Sequence, residues 1–111
     1  ILDDGILTYV DKSINPNQTN GNYEQAGVTI SHTPYLDSYV NIEVNGISVE
    51  LGDGTRDKDS YFSRDLGITA VLIVDIASGD QLYWNGIQSG FDLVSDDVIN
   101  LIYEAASVDL A

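Results

Sequence analysis

The residue best suited to acid–base chemistry in this sequence is His32, because it is the only histidine. A nucleophilic triad needs a base beside its nucleophile, and no Gly-x-Ser-x-Gly motif accompanies this histidine. His32 lies in the alternating run 28–33, where it shares a face with Val28 and Ile30. That face is expected to be buried, so the pattern favours a satisfied core or rim histidine over a catalytic base.

Carboxylates are the most abundant reactive groups, with 18 Asp and Glu residues against four Lys and Arg. Among so many carboxylates, some pair will lie at a glycosidase-like separation by chance, and few aromatic residues remain to line a sugar cleft beside a core. The absence of cysteine excludes a thiolate nucleophile, a thiolate metal site and a disulfide. We therefore predict that the chain is not an enzyme and needs no cofactor.

The loop 52–59 has the composition of a cation site. Its sequence is Gly-Asp-Gly-Thr-Arg-Asp-Lys-Asp, and its candidate ligands are Asp53, Asp57 and Asp59. Carboxylate oxygens suit Ca²⁺, but the spacing is not that of an EF-hand, which ends on a bidentate Glu at its twelfth position. Two basic residues inside the loop also partly neutralise the carboxylates. A solvated loop with local ion pairs is therefore favoured over a Ca²⁺ site.

The charge balance excludes two classes of partner. With a formal net charge of −14, the chain lacks the cations that replace counterions on a nucleic-acid backbone, and it should be repelled by anionic membranes. The longest apolar run, 68–74, is too short to span a bilayer. We expect no signal peptide or transmembrane segment, and we interpret Ile1 as a processed terminus or the start of a segment of something longer.

A first β-hairpin is predicted over 39–51, around the dipeptide Asn45-Gly46. This dipeptide tolerates the positive φ values of a type I′ turn. With these two residues as the loop, the apolar residues of both strands share one face and the polar residues share the other, as expected for a ribbon buried on one side. The buried face is Val40, Ile42, Val44, Ile47, Val49 and Leu51.

A second hairpin is predicted over 81–90, around Asn85-Gly86. Its inner face would consist of Leu82, Trp84 and Ile87. Trp84 is the only tryptophan, and a lone Trp beside a tight turn is more often a core residue than a ligand platform.

The remaining apolar runs predict further short strands at 6–10, 27–33, 61–64 and 68–76. The run 97–106 fits two periods, and we favour a strand over a short C-terminal helix because Val, Ile and Tyr prefer strands. Seven or eight short strands separated by turn residues predict an all-β fold, an antiparallel sandwich or jelly-roll-like arrangement, with a small barrel as the less favoured alternative. We assign residues 1–111 to one β domain.

Four segments of the chain, 44–55, 60–63, 75–93 and 102–104, resemble small β domains that recur in virion proteins of tailed bacteriophages. The resemblance rests on the turn Gly-Asp-Gly-Thr followed by Tyr-Phe-Ser, and on Gly-Asp-Gln-Leu-Tyr-Trp-Asn-Gly. It implies a structural role at the virion surface, as a capsid decoration protein, a head fibre or a tail-associated domain. The partners it implies are other virion proteins and further copies of the chain, for example in a trimer.

Tyrosines outside the predicted hairpin cores are the candidate contact residues for such a role, because Tyr is enriched at interfaces. They are Tyr9, Tyr23, Tyr35 and Tyr39. An ordinary strand or loop position is nevertheless the favoured interpretation of each of them. The alternative function is a receptor- or glycan-binding module, whose contact set would be Trp84, Tyr83, Asn15, Asn17 and Asn20.

Overall fold

The computed structural model describes residues 6–13, 24–35 and 39–106, and within these ranges the protein is all-β. The strands are β1 (Ile6–Lys12), β2 (Glu24–Thr29), β3 (Asn41–Val44), β4 (Ile47–Val49), β5 (Ser60–Ser63), β6 (Gln81–Trp84) and β7 (Ile99–Ala106). A 3₁₀ turn covers Ile73–Asp75, and a one-turn helix, α1, covers Gly86–Ser89. Neither helix of the described ranges has the length and apolar character needed to cross a membrane.

The strands form two antiparallel sheets. The first has the order β1-β7-β3-β4 and the second the order β2-β6-β5. Apolar residues of both sheets meet in one core, which explains why the sequence alternates between apolar and polar residues along β3 and β7. The largest fully buried apolar side chains are Trp84, Tyr61, Phe62, Ile30, Ile42, Leu82, Leu93, Ile99 and Leu101.

The hairpin predicted around Asn45-Gly46 is confirmed in its turn and register. Both turn residues have positive φ, 53° and 87°, and Val44 pairs with Ile47 as the type I′ geometry requires. Ile47 is nevertheless 71% exposed, which corrects its assignment to the core, because it lies at the turn end of an edge strand. Its partners in the predicted buried face are buried, apart from Val49, which packs partly exposed against the core.

The end of this hairpin differs from the prediction as well. A regular hairpin with a two-residue loop would place Leu51 opposite Val40, but β4 ends at Val49 and Leu51 forms a parallel bridge with Ser60 instead. Leu51 remains buried in the core despite this change of partner. The chain therefore crosses from the first sheet to the second immediately after β4.

The hairpin predicted around Asn85-Gly86 is wrong. Asn85 is the N-cap of α1, where its side-chain oxygen accepts a hydrogen bond from the Gln88 amide at 3.0 Å. β6 pairs with β2 and β5 rather than with the residues that follow it. Ile87, expected in the core, is 72% exposed on α1, whereas Leu82 and Trp84 are buried on β6.

The strand predicted over 68–76 is also wrong, because this run forms a loop that ends in the 3₁₀ turn. By contrast, the strand at the C-terminal end is confirmed over the helical alternative. β7 lies between β1 and β3, and its residues Ile99, Leu101 and Tyr103 alternate into the core. A helix in this place would satisfy its own backbone groups but would leave the facing backbone groups of β1 and β3 without a partner.

Candidate functional site

The only histidine belongs to a hydrogen-bonded cluster that joins three segments of the chain. Asp11 comes from β1, Tyr103 from β7, and Ser31 and His32 from the segment that follows β2. We call these four residues the His32 cluster. The ring of Tyr9, one of the candidate contact tyrosines, stacks on His32 with a centroid separation of 3.9 Å.

Asp11 is the acceptor at the centre of the His32 cluster. Its Oδ1 accepts from the Ser31 hydroxyl at 2.8 Å, and its Oδ2 accepts from the Ser31 amide at 2.9 Å and the Tyr103 hydroxyl at 2.6 Å. Burial and the hydrogen bond to Asp11 raise the pKa of Tyr103 to about 12. The carboxylate therefore ties both strands and the intervening segment together.

The His32 cluster places a hydroxyl beside an imidazole, a proximity that the sequence prediction missed. The Ser31 Oγ lies 2.8 Å from Nδ1 of His32, which is within reach for a nucleophile and a base. However, the Ser31 hydroxyl donates to Asp11, and the amides of Ser31 and His32 donate to Asp11 and Tyr103. These amides are therefore not available as an oxyanion hole, and the geometry is that of a structural tie. His32 itself is half-buried.

The candidate cation ligands do not converge in the structure. The Asp53 carboxylate accepts from the Ile73 amide at 2.9 Å, the Asp59 carboxylate accepts from the Glu50 amide at 3.1 Å, and Asp57 is exposed. Among the residues that the structure describes, no group of three or more His, Cys, Asp or Glu side chains is arranged to hold a metal ion.

The candidate contact tyrosines have different surroundings. Tyr35 and Tyr39 are exposed, and Tyr9 is half-buried against His32. Tyr23 lies outside the described residues, as do Asn15, Asn17 and Asn20 of the glycan-binding alternative. The aromatic residues of that alternative, Tyr83 and Trp84, are buried, and the Trp84 indole donates to the Phe91 carbonyl at 3.0 Å. A buried indole and a buried phenol ring do not form a sugar platform.

The most exposed apolar residues of the described chain include several from one segment, which we call the apolar loop (residues 66–74). Leu66 is 78% exposed, Ile68 70% and Val74 82%. The sequence prediction missed this surface because it assigned the same apolar run to a strand. Single exposed apolar residues are common, whereas several within one nine-residue segment make that segment a candidate contact site.

The apolar loop is held against the second sheet by hydrogen bonds at its base. The Val71 amide donates to the Phe62 carbonyl at 2.8 Å, and the Tyr61 hydroxyl donates to the Gly67 carbonyl at 2.7 Å. The Asp65 carboxylate accepts from the Thr69 amide at 2.9 Å and from a serine hydroxyl on β5, and these bonds lower the pKa of Asp65 to about 2. The exposed side chains therefore sit on an anchored loop.

The start of the apolar loop, at Leu66, carries backbone strain. Leu66 and Gly67 both have positive φ, 63° and 86°, in a turn that the Ile68 amide closes on the Asp65 carbonyl. A left-handed conformation costs an ordinary L-residue about 1–2 kcal/mol, and Gly or Asn is the usual occupant. Leu66 is therefore an unfavourable residue for its backbone position and, at the same time, one of the most exposed apolar side chains.

A cleft of about 290 Å³ is formed by the apolar loop and the residues that flank it. Its lining residues are Arg64, Asp65, Thr69, Ala70, Val71, Leu72 and Asp75.

Comparison of the chain with family models, with curated proteins and with solved structures finds no match. The candidate site is therefore defined by the geometry of the apolar loop and its cleft.

Proposed function

We propose that the chain is a structural protein at the surface of a tailed-phage virion, where it acts through protein–protein contacts and catalyses no reaction. Its partners are other virion proteins and further copies of the chain. Two lines support the proposal: the sequence resemblance described above, and the apolar loop. The His32 cluster does not favour a catalytic function instead, because its hydroxyl and amide groups are hydrogen-bonded within the cluster.

The observation that carries the proposal is Leu66, which is strained and 78% exposed. Neither the strain nor the exposure stabilises the isolated chain, since a polar residue that tolerates positive φ would avoid both costs. Strained backbone positions cluster at functional sites, where a gain elsewhere offsets their cost. Burial of Leu66 against a partner provides such a gain.

The distribution of charge also supports the apolar loop as the contact surface. Residues 66–74 carry no ionisable side chain, although the whole chain has a net charge of −14. Acidic proteins that lie side by side on a particle repel one another through their charged faces. The apolar loop offers a contact at which no carboxylate of its own has to be desolvated.

The substitution Leu66→Asn tests the proposal by separating stability from contact. We expect the free energy of unfolding to rise by about 1 kcal/mol, because Asn accepts a left-handed conformation. We also expect less of the variant to be incorporated into purified virions, because the exposed apolar side chain is lost. Urea unfolding and quantitative mass spectrometry of the particles measure the two effects.

Ile87→Asn is the matched control, because Ile87 is 72% exposed but lies on α1 rather than in a left-handed turn. It should leave incorporation unchanged and should not stabilise the chain. A wild-type chain that is absent from purified virions, or a Leu66→Asn variant that is incorporated as well as the wild type, would contradict the proposed function.

A further inference from the structure

The cleft formed by the apolar loop and its flanking residues combines apolar and acidic lining residues. Ala70, Val71 and Leu72 are the apolar residues of its lining, and Asp65 and Asp75 are the acidic ones. Its volume of about 290 Å³ lies at the lower limit of small-ligand pockets, which hold about 300–1,000 Å³. A cleft of this size suits one long side chain better than a larger ligand.

Arg64, the only cation in the lining, is already neutralised. Its Nε donates to Asp80 Oδ1 at 3.0 Å, and its Nη2 donates to Asp80 Oδ2 at 2.8 Å and to the Asp75 carbonyl at 2.8 Å. Asp80 is buried, and it also accepts from the Ala77 amide at 2.9 Å. This fork-shaped ion pair fixes the guanidinium and offsets its charge.

The charge that remains in the lining is therefore negative. Asp65 and Asp75 contribute two formal negative charges, and Arg64 and Asp80 cancel each other. The Asp65 carboxylate stays ionised in any ordinary buffer, since hydrogen bonds from Thr69 and Ser63 lower its pKa to about 2. An anionic ligand would be repelled here, whereas a cation would be attracted.

We propose that this cleft binds a Lys or Arg side chain from a basic protein partner. Such a side chain has an apolar stem and a charged end, which match the apolar residues Val71 and Leu72 and the acidic residues Asp65 and Asp75 of the lining. This inference rests on the proposed contact function and identifies the chemistry of one partner. The exposed apolar-loop residues that do not line the cleft, Leu66, Ile68 and Val74, would cover surface around the inserted side chain.

A second copy of the chain is a poor source of that side chain. The chain has 18 acidic residues and four basic ones, so two copies repel each other at long range. One of the four, Arg64, is held by Asp80 in the cleft itself. Charge complementarity therefore favours a different protein with a basic surface.

A titration of the uniformly ¹⁵N-labelled chain, followed by NMR, tests this inference. The probes are the blocked peptides acetyl-Leu-Lys-Leu-amide, acetyl-Leu-norleucine-Leu-amide and acetyl-Leu-Glu-Leu-amide. We expect the Lys peptide to shift the amide signals of 69–72 and to bind about fivefold more tightly than the norleucine peptide, with no binding of the Glu peptide. About 0.3 M NaCl should remove most of this preference, because it screens the carboxylates.

Two substitutions test whether the Lys peptide binds in the cleft. Asp75→Asn should weaken binding of the Lys peptide about threefold, whereas Asp92→Asn, an exposed control outside the cleft, should leave it unchanged. Equal binding of the norleucine or Glu peptide, or Lys-peptide shifts spread over other acidic surfaces, would overturn the inference. Signals of 69–72 that shift with protein concentration alone would overturn it in favour of a second copy.

The peptide titration and the virion experiment test the cleft inference and the contact function separately. If the Lys peptide does not bind but Leu66→Asn still lowers incorporation, the cleft inference is wrong and the contact function stands. If the chain is absent from purified virions, the proposed function is wrong, whatever the peptide does.

Discussion

Replacement of Gly67 by Ala is expected to lower the free energy of unfolding by about 3 kcal/mol. Gly67 has a φ of 86°, and a Cβ at this position would lie 2.6 Å from Cε2 and 2.7 Å from Cδ2 of Tyr83. Tyr83 is buried and stacked on Tyr61 at a centroid separation of 5.7 Å, so its ring has little room to move. Urea unfolding, followed by Trp84 fluorescence, measures the loss.

Gly79→Ala is the control for the backbone part of this effect. Gly79 has a similar φ of 97°, but a Cβ there would meet nothing within 4 Å. We expect a loss of only about 1 kcal/mol, the cost of the left-handed conformation alone. Equal losses for the two variants would show that the contact between Gly67 and Tyr83 does not fix the base of the apolar loop.

Replacement of Asp11 by Ala is expected to lower the free energy of unfolding by about 3 kcal/mol, because hydrogen bonds to a charged acceptor contribute about 1.5–3 kcal/mol each and part of the cluster is exposed. The change leaves the Ser31 hydroxyl and amide and the Tyr103 hydroxyl without their acceptor. Tyr103 is almost fully buried, so water replaces the lost bond poorly. Asp11→Asn, which keeps one acceptor oxygen, should cost less.

The pH dependence of stability gives a second measurement of the same cluster. The pKa of Tyr103 is raised from 10.0 to about 12 in the folded chain, so the protonated phenol is favoured by folding. This contribution is complete below pH 10 and is lost as the pH rises through about 12. In Asp11→Ala, tyrosinate absorbance should show a lower pKa for Tyr103, although burial still raises it. An unchanged pKa would exclude Asp11 as the partner of this hydroxyl.

Turn dipeptides in the sequence predicted part of the fold correctly. They failed where the pairing of strands that are distant in the sequence determines the structure. Asn45-Gly46 forms the expected type I′ turn because its two strands pair with each other. Asn85-Gly86 has the same composition, but β6 is already paired on both sides by β2 and β5. With no strand left to pair, the chain continues into α1, and the Asn85 side chain caps it.

The candidate site could be predicted only in part from the sequence. The adjacency of Ser31 and His32 is visible in the chain, but Asp11 and Tyr103 meet them only because β1 and β7 pair in one register. The apolar loop has the composition of a buried strand, and its left-handed Leu66 leaves no sequence signal. The left-handed conformation of a bulky residue such as Leu66 can be recognised only when the backbone structure is known.

The most direct test of the contact function compares Ile68→Asp with Ile87→Asp on purified virions. The two isoleucines are 70% and 72% exposed, so both substitutions place a carboxylate on the surface at similar cost to the folded chain. We expect Ile68→Asp to reduce the number of copies per virion at least about tenfold, the equivalent of about 1.4 kcal/mol of contact energy, and Ile87→Asp to leave it unchanged. Equal copy numbers for both variants and the wild type would contradict a contact made through the apolar loop.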